Sequence, residues 1–204
     1  VIIKAVIFDL DGVLVDACNI HYQALNAALR NLVGYEIPRD EHESVYNGLP
    51  TKEKLKILVE KQIIREDQTA EINNMKQSIT MYFIEGLQLD EQKIELIRWL
   101  KSKGKIIGCV TNCTRSSAVK MLKLVGIYDY MSHLICSDDG YRPKPAPDGY
   151  TECMKRLKVD VDEVMVIEDS SKGIESAMRA GVRLIKAINK GPKEVTKDIF
   201  KGYI

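Results

Sequence analysis

Val6 Ile7 Phe8 Asp9 Leu10 Asp11 Gly12 Val13 Leu14 Val15 Asp16 is an apolar run that breaks off into two carboxylates spaced two apart, followed by glycine. In an extended backbone, residues two apart project to one face, so Asp9 and Asp11 leaving a strand can aim at a common point. Gly12 then allows a sharp exit that a side chain would hinder. Two carboxylates brought together repel, and each needs a cation, a proton or water. Asp-x-Asp-Gly is also a common solvated turn, so the surrounding chain has to separate a turn from a site of chemistry or metal binding.

Composition sets the frame. With 204 residues and an apolar share of 45%, the chain has enough material for one large domain, or for one domain carrying an insertion. The formal net charge is +1, and its basic residues are mixed with acids; this lacks the basic stripe of nucleic-acid binders, and no polyanion partner is expected. The five cysteines, Cys18, Cys109, Cys113, Cys136 and Cys153, are odd in number and form no Cys-x-x-Cys pair, which points to a reduced, cytoplasmic setting. Cys109 and Cys136 lie in apolar runs and read as small core residues. The N-terminal apolar run is too short for a membrane span and leads straight into the acids, so no membrane association is expected. The expected assembly is a monomer or weak homodimer.

Ala5 to Phe8 is continuously apolar, as suits a strand buried on both faces of a parallel sheet. Asp16 is placed to cap a helix in which Ile20, Ala24, Leu25, Ala28, Leu29 and Leu32 recur at helical spacing before Gly34. A second helical pattern follows Thr51 with Leu55, Leu58 and Val59, and a third carries Ile72, Met75, Ile79 and Phe83. No convincing strand falls in this region, so residues 17–85 are expected to form a helical insertion, and residues 1–16 with 86–204 the main domain.

Strand and helix then alternate. Asp90 is an N-cap, bracketed by Leu89 and Ile94, for a helix reaching Gly104. Ile106–Val110 is a buried strand stopping at Thr111 and Asn112, and a helix with Val119, Leu122 and Val125 ends at Gly126. Leu134–Cys136 is a short strand. Pro143 Lys144 Pro145 Ala146 Pro147 is a rigid, helix-initiating segment, and Tyr150, Met154 and Leu157 face the core from that helix. Val164–Ile167 is a strand ending at Glu168 and Asp169; a helix to Gly181 and a strand at 183–187 follow, and the tail from Gly191 is undecided. This order predicts an α/β, Rossmann-like parallel sheet with right-handed crossovers and a site beyond the carboxyl ends of its strands. Three of those ends carry polar chemistry: Asp9 and Asp11, Thr111 and Asn112, Glu168 and Asp169.

Four segments in this order, Asp9-x-Asp11-Gly12-Val13, Thr111-Asn112, Lys144-Pro145-x-Pro147-Asp148 and Glu168-Asp169-Ser170 with Gly173-Ile174, resemble the motifs of the haloacid dehalogenase superfamily of phosphotransferases. The resemblance spans essentially the whole chain. Within the superfamily it is nearest the branch with a helical cap after the first strand, the phosphoglycolate phosphatase and β-phosphoglucomutase group. It implies Asp9 as nucleophile and Asp11 as general acid and then base, with Thr111 and the Asn112 backbone N–H holding the transferring group. A phosphate dianion repels an anionic nucleophile, so cations must neutralise it, and Lys144 and Mg2+ are the expected sources. The expected Mg2+ ligands are Asp9, the Asp11 carbonyl, Glu168 and Asp169, all oxygen donors. Relatives differ in whether the first of the last two acids touches the metal. Ser170 and Thr111 could also serve as helix caps.

In the insertion, His21, Gly48 in the Asn47–Thr51 loop and Lys76 are candidate substrate contacts by the same resemblance; packing, a turn and a solvated helix face are the alternatives. An acid at position 11 sets the chain apart from the dehalogenases and phosphonate-cleaving members, so C–O–P bonds are expected to be cut. The expected activity is a Mg2+-dependent phosphatase for a small phosphorylated metabolite, such as a sugar phosphate or phosphoglycolate-like compound, passing through an aspartyl phosphate. A β-phosphoglucomutase-like mutase is the alternative, lowered by Cys113 Thr114 Arg115 Ser116 Ser117 after Asn112. A catalytically silent binding protein is the least favoured reading.

Overall fold

The computed structural model describes residues 2–204. The chain forms two compact units: Val1–Asp16 with Leu87–Ile204, and Ala17–Gly86. Gly86, expected with the sheet, groups with the helices, its amide donating to the Phe83 carbonyl at 3.2 Å. Among the described residues no helix is long and apolar enough to cross a membrane.

The first unit is a five-stranded sheet of β1 (Ala5–Phe8), β2 (Ile106–Val110), β3 (His133–Ile135), β4 (Val164–Glu168) and β5 (Leu184–Ala187), in the order β3-β2-β1-β4-β5 with every pairing parallel. β1 and β4 are buried along their whole length, as their unbroken apolar sequences require in a sheet covered on both faces. The chain runs outward from β1 through β2 to β3, then returns to β4 on the other side of β1. That reversal places a crevice at the carboxyl ends of the central strands.

The helices of this unit flank the chain between strands. Before β2 comes α5 (Glu91–Ser102), whose first turn is capped by the Asp90 carboxylate accepting from the Lys93 amide at 2.9 Å. After β2 comes α6 (Arg115–Leu124), and after β3 α7 (Asp148–Leu157), whose Tyr150, Cys153, Met154 and Leu157 are buried in one core with Ile7, Val110 and Val166. α7 approaches closely because β2 carries Gly108: a Cβ there would lie 2.7 Å from the Cys153 sulfur. β4 leads into α8 (Ser171–Arg179).

The second unit holds α1 (Cys18–Val33), α2 (Arg39–Glu41) continuing into a π-helical turn at His42–Tyr46, α3 (Thr51–Glu60) and α4 (Thr69–Ile84), with no strand. Leu25, Leu29, Ile37, Tyr46, Leu58 and Ile72 are central to its separate core. Asn26 fixes the turn after α1 through both ends of its amide, donating to the Ile37 carbonyl and accepting from the Ile37 N–H, each at 3.0 Å. Asp16 does not cap α1: the residue before the helix is Ala17, with no side-chain cap. At the other end Gly34 takes the expected left-handed conformation, φ 68°.

Candidate active site

β1 delivers Asp9 directly: its amide still bonds to the Ile167 carbonyl of β4 at 2.9 Å, so the carboxylate leaves from the last ordered step of the ladder. Gly12, at φ 84°, turns the chain back, and its N–H donates to the Val15 carbonyl at 2.7 Å. In this turn the Asp11 Oδ2 accepts from the Cys113 thiol at 3.3 Å.

Beyond β2, Thr111 is buried, with its hydroxyl oxygen accepting from the Cys113 N–H at 3.0 Å. It does not cap α6, whose N-cap residue is Thr114. The Asn112 side chain clasps the Lys144 backbone, accepting from its N–H at 3.1 Å and donating to its carbonyl at 3.3 Å. Two loops separated in sequence are thereby tied together.

Lys144 is buried, and its ammonium has three acceptors: Asp9 Oδ1 at 2.5 Å, Glu168 Oε1 at 2.5 Å and the Val110 carbonyl at 2.8 Å. An ammonium has three donors, so each is spoken for. Burial alone would pull the Lys144 ammonium down, but Asp9 and Glu168 outweigh it and hold the group above its usual value. For Asp9, burial is the chief cause of a carboxyl raised well above the ordinary range; Lys144 opposes it, and Glu168, Asp169 and Asp11 add repulsion. Asp169 is pushed up to about 7, first by burial and then by Glu168 and Asp11.

Glu168 is fully buried, and both its oxygens are occupied. Oε1 accepts from Lys144 and, at 2.7 Å, from the Tyr150 hydroxyl. Oε2 accepts from the Asp169 N–H at 3.1 Å, the Ser170 N–H at 3.3 Å and the Ser170 hydroxyl at 3.2 Å. Ser170 does more than cap α8: besides bonding Glu168, it accepts from the Gly173 N–H at 3.0 Å. Tyr150 is the participant that sequence reasoning missed, because an aromatic at core spacing on a helix signals packing and its hydroxyl leaves no periodic trace.

Oxygens of Asp9, Glu168 and Asp169 lie within 4.8 Å of one another. Three carboxyl groups gathered on one ammonium, two of them with raised pKa values, form an oxygen-donor cluster in which a cation can replace the protons, the donor chemistry that hard divalent cations select. The sheet unit therefore brings together Asp9, Lys144, Glu168 and Asp169, and it also carries Asp11, Thr111 and Asn112. His21, Gly48 and Lys76 belong to the helical unit. There the Lys76 ammonium, itself buried, lies 3.3 Å from His21 Nδ1, and Gly48 has φ 74° in the loop before α3.

The family model described as haloacid dehalogenase-like hydrolase matches residues 6–187. A phosphorylated carbohydrates phosphatase of Thermotoga maritima is 28% identical over 185 residues, covering 91% of this chain and 85% of that protein. A phosphoglycolate phosphatase of Thiobacillus denitrificans is 26% identical over 183 residues, covering 88% and 80%. Among solved structures, a β-phosphoglucomutase from Clostridium difficile shares the fold, with a TM-score of 0.83 at 22% identity, over 98% of this chain and 96% of that one. The chain belongs to the haloacid dehalogenase-like hydrolase family and is a hydrolase of its phosphatase-like branch.

Proposed function

We propose that the protein is a Mg2+-dependent phosphatase that hydrolyses a small phosphorylated metabolite, a sugar phosphate or phosphoglycolate-like compound, through an aspartyl phosphate on Asp9. The observation that carries this reading is the Asp9–Lys144 contact at 2.5 Å among the strand ends, with Asp169 in the same carboxylate cluster. The named relatives, phosphatases of phosphorylated carbohydrates and of phosphoglycolate, support the substrate class.

On this reading the Asp9 carboxylate attacks phosphorus, and the bond to the leaving oxygen breaks as Asp11 gives that oxygen a proton. Asp11 then takes a proton from water, which attacks the aspartyl phosphate, releases inorganic phosphate and regenerates the Asp9 carboxylate. Lys144 stays protonated throughout and stabilises negative charge gathering on the transferring group. Thr111 and the Asn112 N–H would hold that group; the Asn112 side chain, engaged with Lys144, is a brace. Asp9, Asp169 and the Asp11 carbonyl would hold the divalent cation, which when bound supplies further neutralisation of phosphoryl charge. Glu168, expected among the ligands, already receives five hydrogen bonds; its role here is to seat Lys144. His21, Gly48 and Lys76 remain candidates for substrate selection, with the helical unit read as a cap.

The test is hydrolysis of a panel of sugar phosphates, phosphoglycolate, nucleoside monophosphates and an aryl phosphate, with Mg2+ and with chelator, beside Asp9→Asn. Metal-dependent phosphate release that disappears in the variant is expected. Full activity in Asp9→Asn would end the reading. Interconversion of glucose 1-phosphate and 6-phosphate with a bisphosphate activator, without phosphate release, would replace it with a mutase.

A further inference from the structure

Tyr150 lies in α7 with its ring fully buried among Ile7, Val110, Ile135 and Val166. A phenylalanine would meet that packing requirement and would avoid burying a hydroxyl, which is costly unless the group is bonded. The hydroxyl is bonded, and to one particular atom: it donates to Glu168 Oε1 at 2.7 Å, the oxygen that also accepts from Lys144 at 2.5 Å. The Lys144 nitrogen lies 5.0 Å from the centroid of the Tyr150 ring, within cation–π range. Tyrosine and lysine thus converge on the same carboxylate oxygen.

The remaining contacts of Glu168 explain why that oxygen needs holding. All three donors on Oε2 come from the backbone and side chain just after β4, and they fix one oxygen only. A carboxylate held at one oxygen can rock about it, carrying the other. Oε1 has two donors, and one of them is the lysine whose direction matters. Tyr150, anchored in a packed helix, is therefore the donor on Oε1 that does not itself belong to the reacting pair.

We propose that Tyr150 is a positioning residue for phosphoryl transfer: acting through Glu168, its hydroxyl aims the Lys144 ammonium at Asp9. This rests on the reading of Asp9 and Lys144 as a phosphoryl-transfer pair. It places a specific requirement on a helix position that core packing alone would leave open to any large apolar residue.

The experiment compares wild type with Tyr150→Phe by two measurements. One is kcat and KM for an aryl phosphate with Mg2+. The other is the 1H–15N signal of the Lys144 ammonium in the metal-free protein, assigned by its loss in Lys144→Arg. Expected are a fall in kcat of roughly tenfold to a hundredfold with KM within about twofold, since misaimed catalytic groups cost turnover more than binding, and a shifted or broadened Lys144 signal. An unmoved signal overturns the proposal, whatever kcat does, because the variant would then act elsewhere. A moved signal in an active enzyme with unchanged kcat also overturns it. Should wild type hydrolyse nothing, the phosphatase reading falls by itself, and the ammonium signal decides whether Tyr150 positions Lys144. If Tyr150→Phe yields no folded protein, incorporation of 3-fluorotyrosine keeps the ring and changes the donor strength of its hydroxyl; the same signal is then expected to move, and its constancy overturns the proposal.

Discussion

Gly173 occupies a place where a methyl group would sit inside the Glu168 carboxylate: a Cβ there would lie 1.9 Å from Oε1 and 2.0 Å from Cδ. In an ordinary exposed helix, glycine to alanine gains about 1 kcal/mol. Here that gain is set against an overlap that neither a packed helix nor a carboxylate with five donors can relieve cheaply. Gly173→Ala is expected to lower stability by roughly 1–3 kcal/mol, the usual range for overpacking, and to lower turnover at least about tenfold, or ~1.4 kcal/mol of barrier, as Glu168 is pushed off Lys144. Denaturant midpoint and kcat measured on one preparation check it; a variant that is more stable and fully active would mean that the carboxylate sits elsewhere. The sequence suggests a glycine in this motif. Its reason, a buried acid lying across the first turn of α8, follows from packing between elements and has no local signature.

Among the elements, the helical unit sets the His42 imidazole, in the π-helical continuation of α2, near the cationic Lys54 and Arg39. His42 is buried, its ring meeting Tyr22 edge-on at 4.8 Å and stacking on Tyr46 at 6.4 Å, with the Lys54 ammonium 3.4 Å from Nε2. Burial, then Lys54, Arg39 and His21, lower its pKa from 6.5 to about 3. The unfolded chain therefore binds a proton that the folded one refuses throughout that interval, and stability rises with pH there. This contribution is complete above 6.5 and drains away as pH falls toward 3. His42→Gln removes the titration, so between about pH 7.5 and about pH 4.5 wild type should lose more thermal stability than the variant; equal losses would mean that His42 accepts its proton in the folded state. Of the helices around His42, α1 and α3 are legible from apolar spacing, because an amphipathic stripe reports which face is buried; the three-residue α2 and the π-helical turn that carries His42 are too short to show one. The engagement of the imidazole was not legible, since residues 22, 42, 46 and 54 meet only after α1, α2 and α3 pack. The strand-end acids were legible for a related reason: a continuously buried strand can release charge only where it ends. Tyr150 lacked such a signal, its buried hydroxyl hidden by its own ring.

At the scale of the whole molecule, the last residues close the sheet unit, a role with no pattern in a tail of short turns. The Lys93 ammonium on α5 donates to the Pro192 carbonyl at 2.6 Å and the Val195 carbonyl at 3.4 Å, while the Ile3 N–H donates to the Tyr203 carbonyl at 2.9 Å. These bonds hold Phe200, fully buried, edge-on to Phe8 with ring centroids 6.4 Å apart and 6.3 Å from Trp99. Phe8 is the residue before Asp9, so the tail seals the end of the strand from which the proposed nucleophile projects. Removing a buried phenylalanine ring forfeits its transfer energy and leaves a cavity, typically about 3–5 kcal/mol for Phe→Ala. For a chain of this size each kcal/mol corresponds to roughly 2–4 °C, so Phe200→Ala should melt roughly 6–20 °C lower. The carboxylate cluster is held by its own hydrogen bonds to β2, β4, α7 and the Asp169–Ser170 turn between β4 and α8, none of which involves Phe200. KM for a small phosphate ester is therefore expected to stay within about twofold at temperatures where the variant is folded, as uniform binding would be untouched. A melting point within about 2 °C of wild type would show that the tail covers the core without stabilising it. A large rise in KM at full stability would instead tie the tail to the geometry of the site.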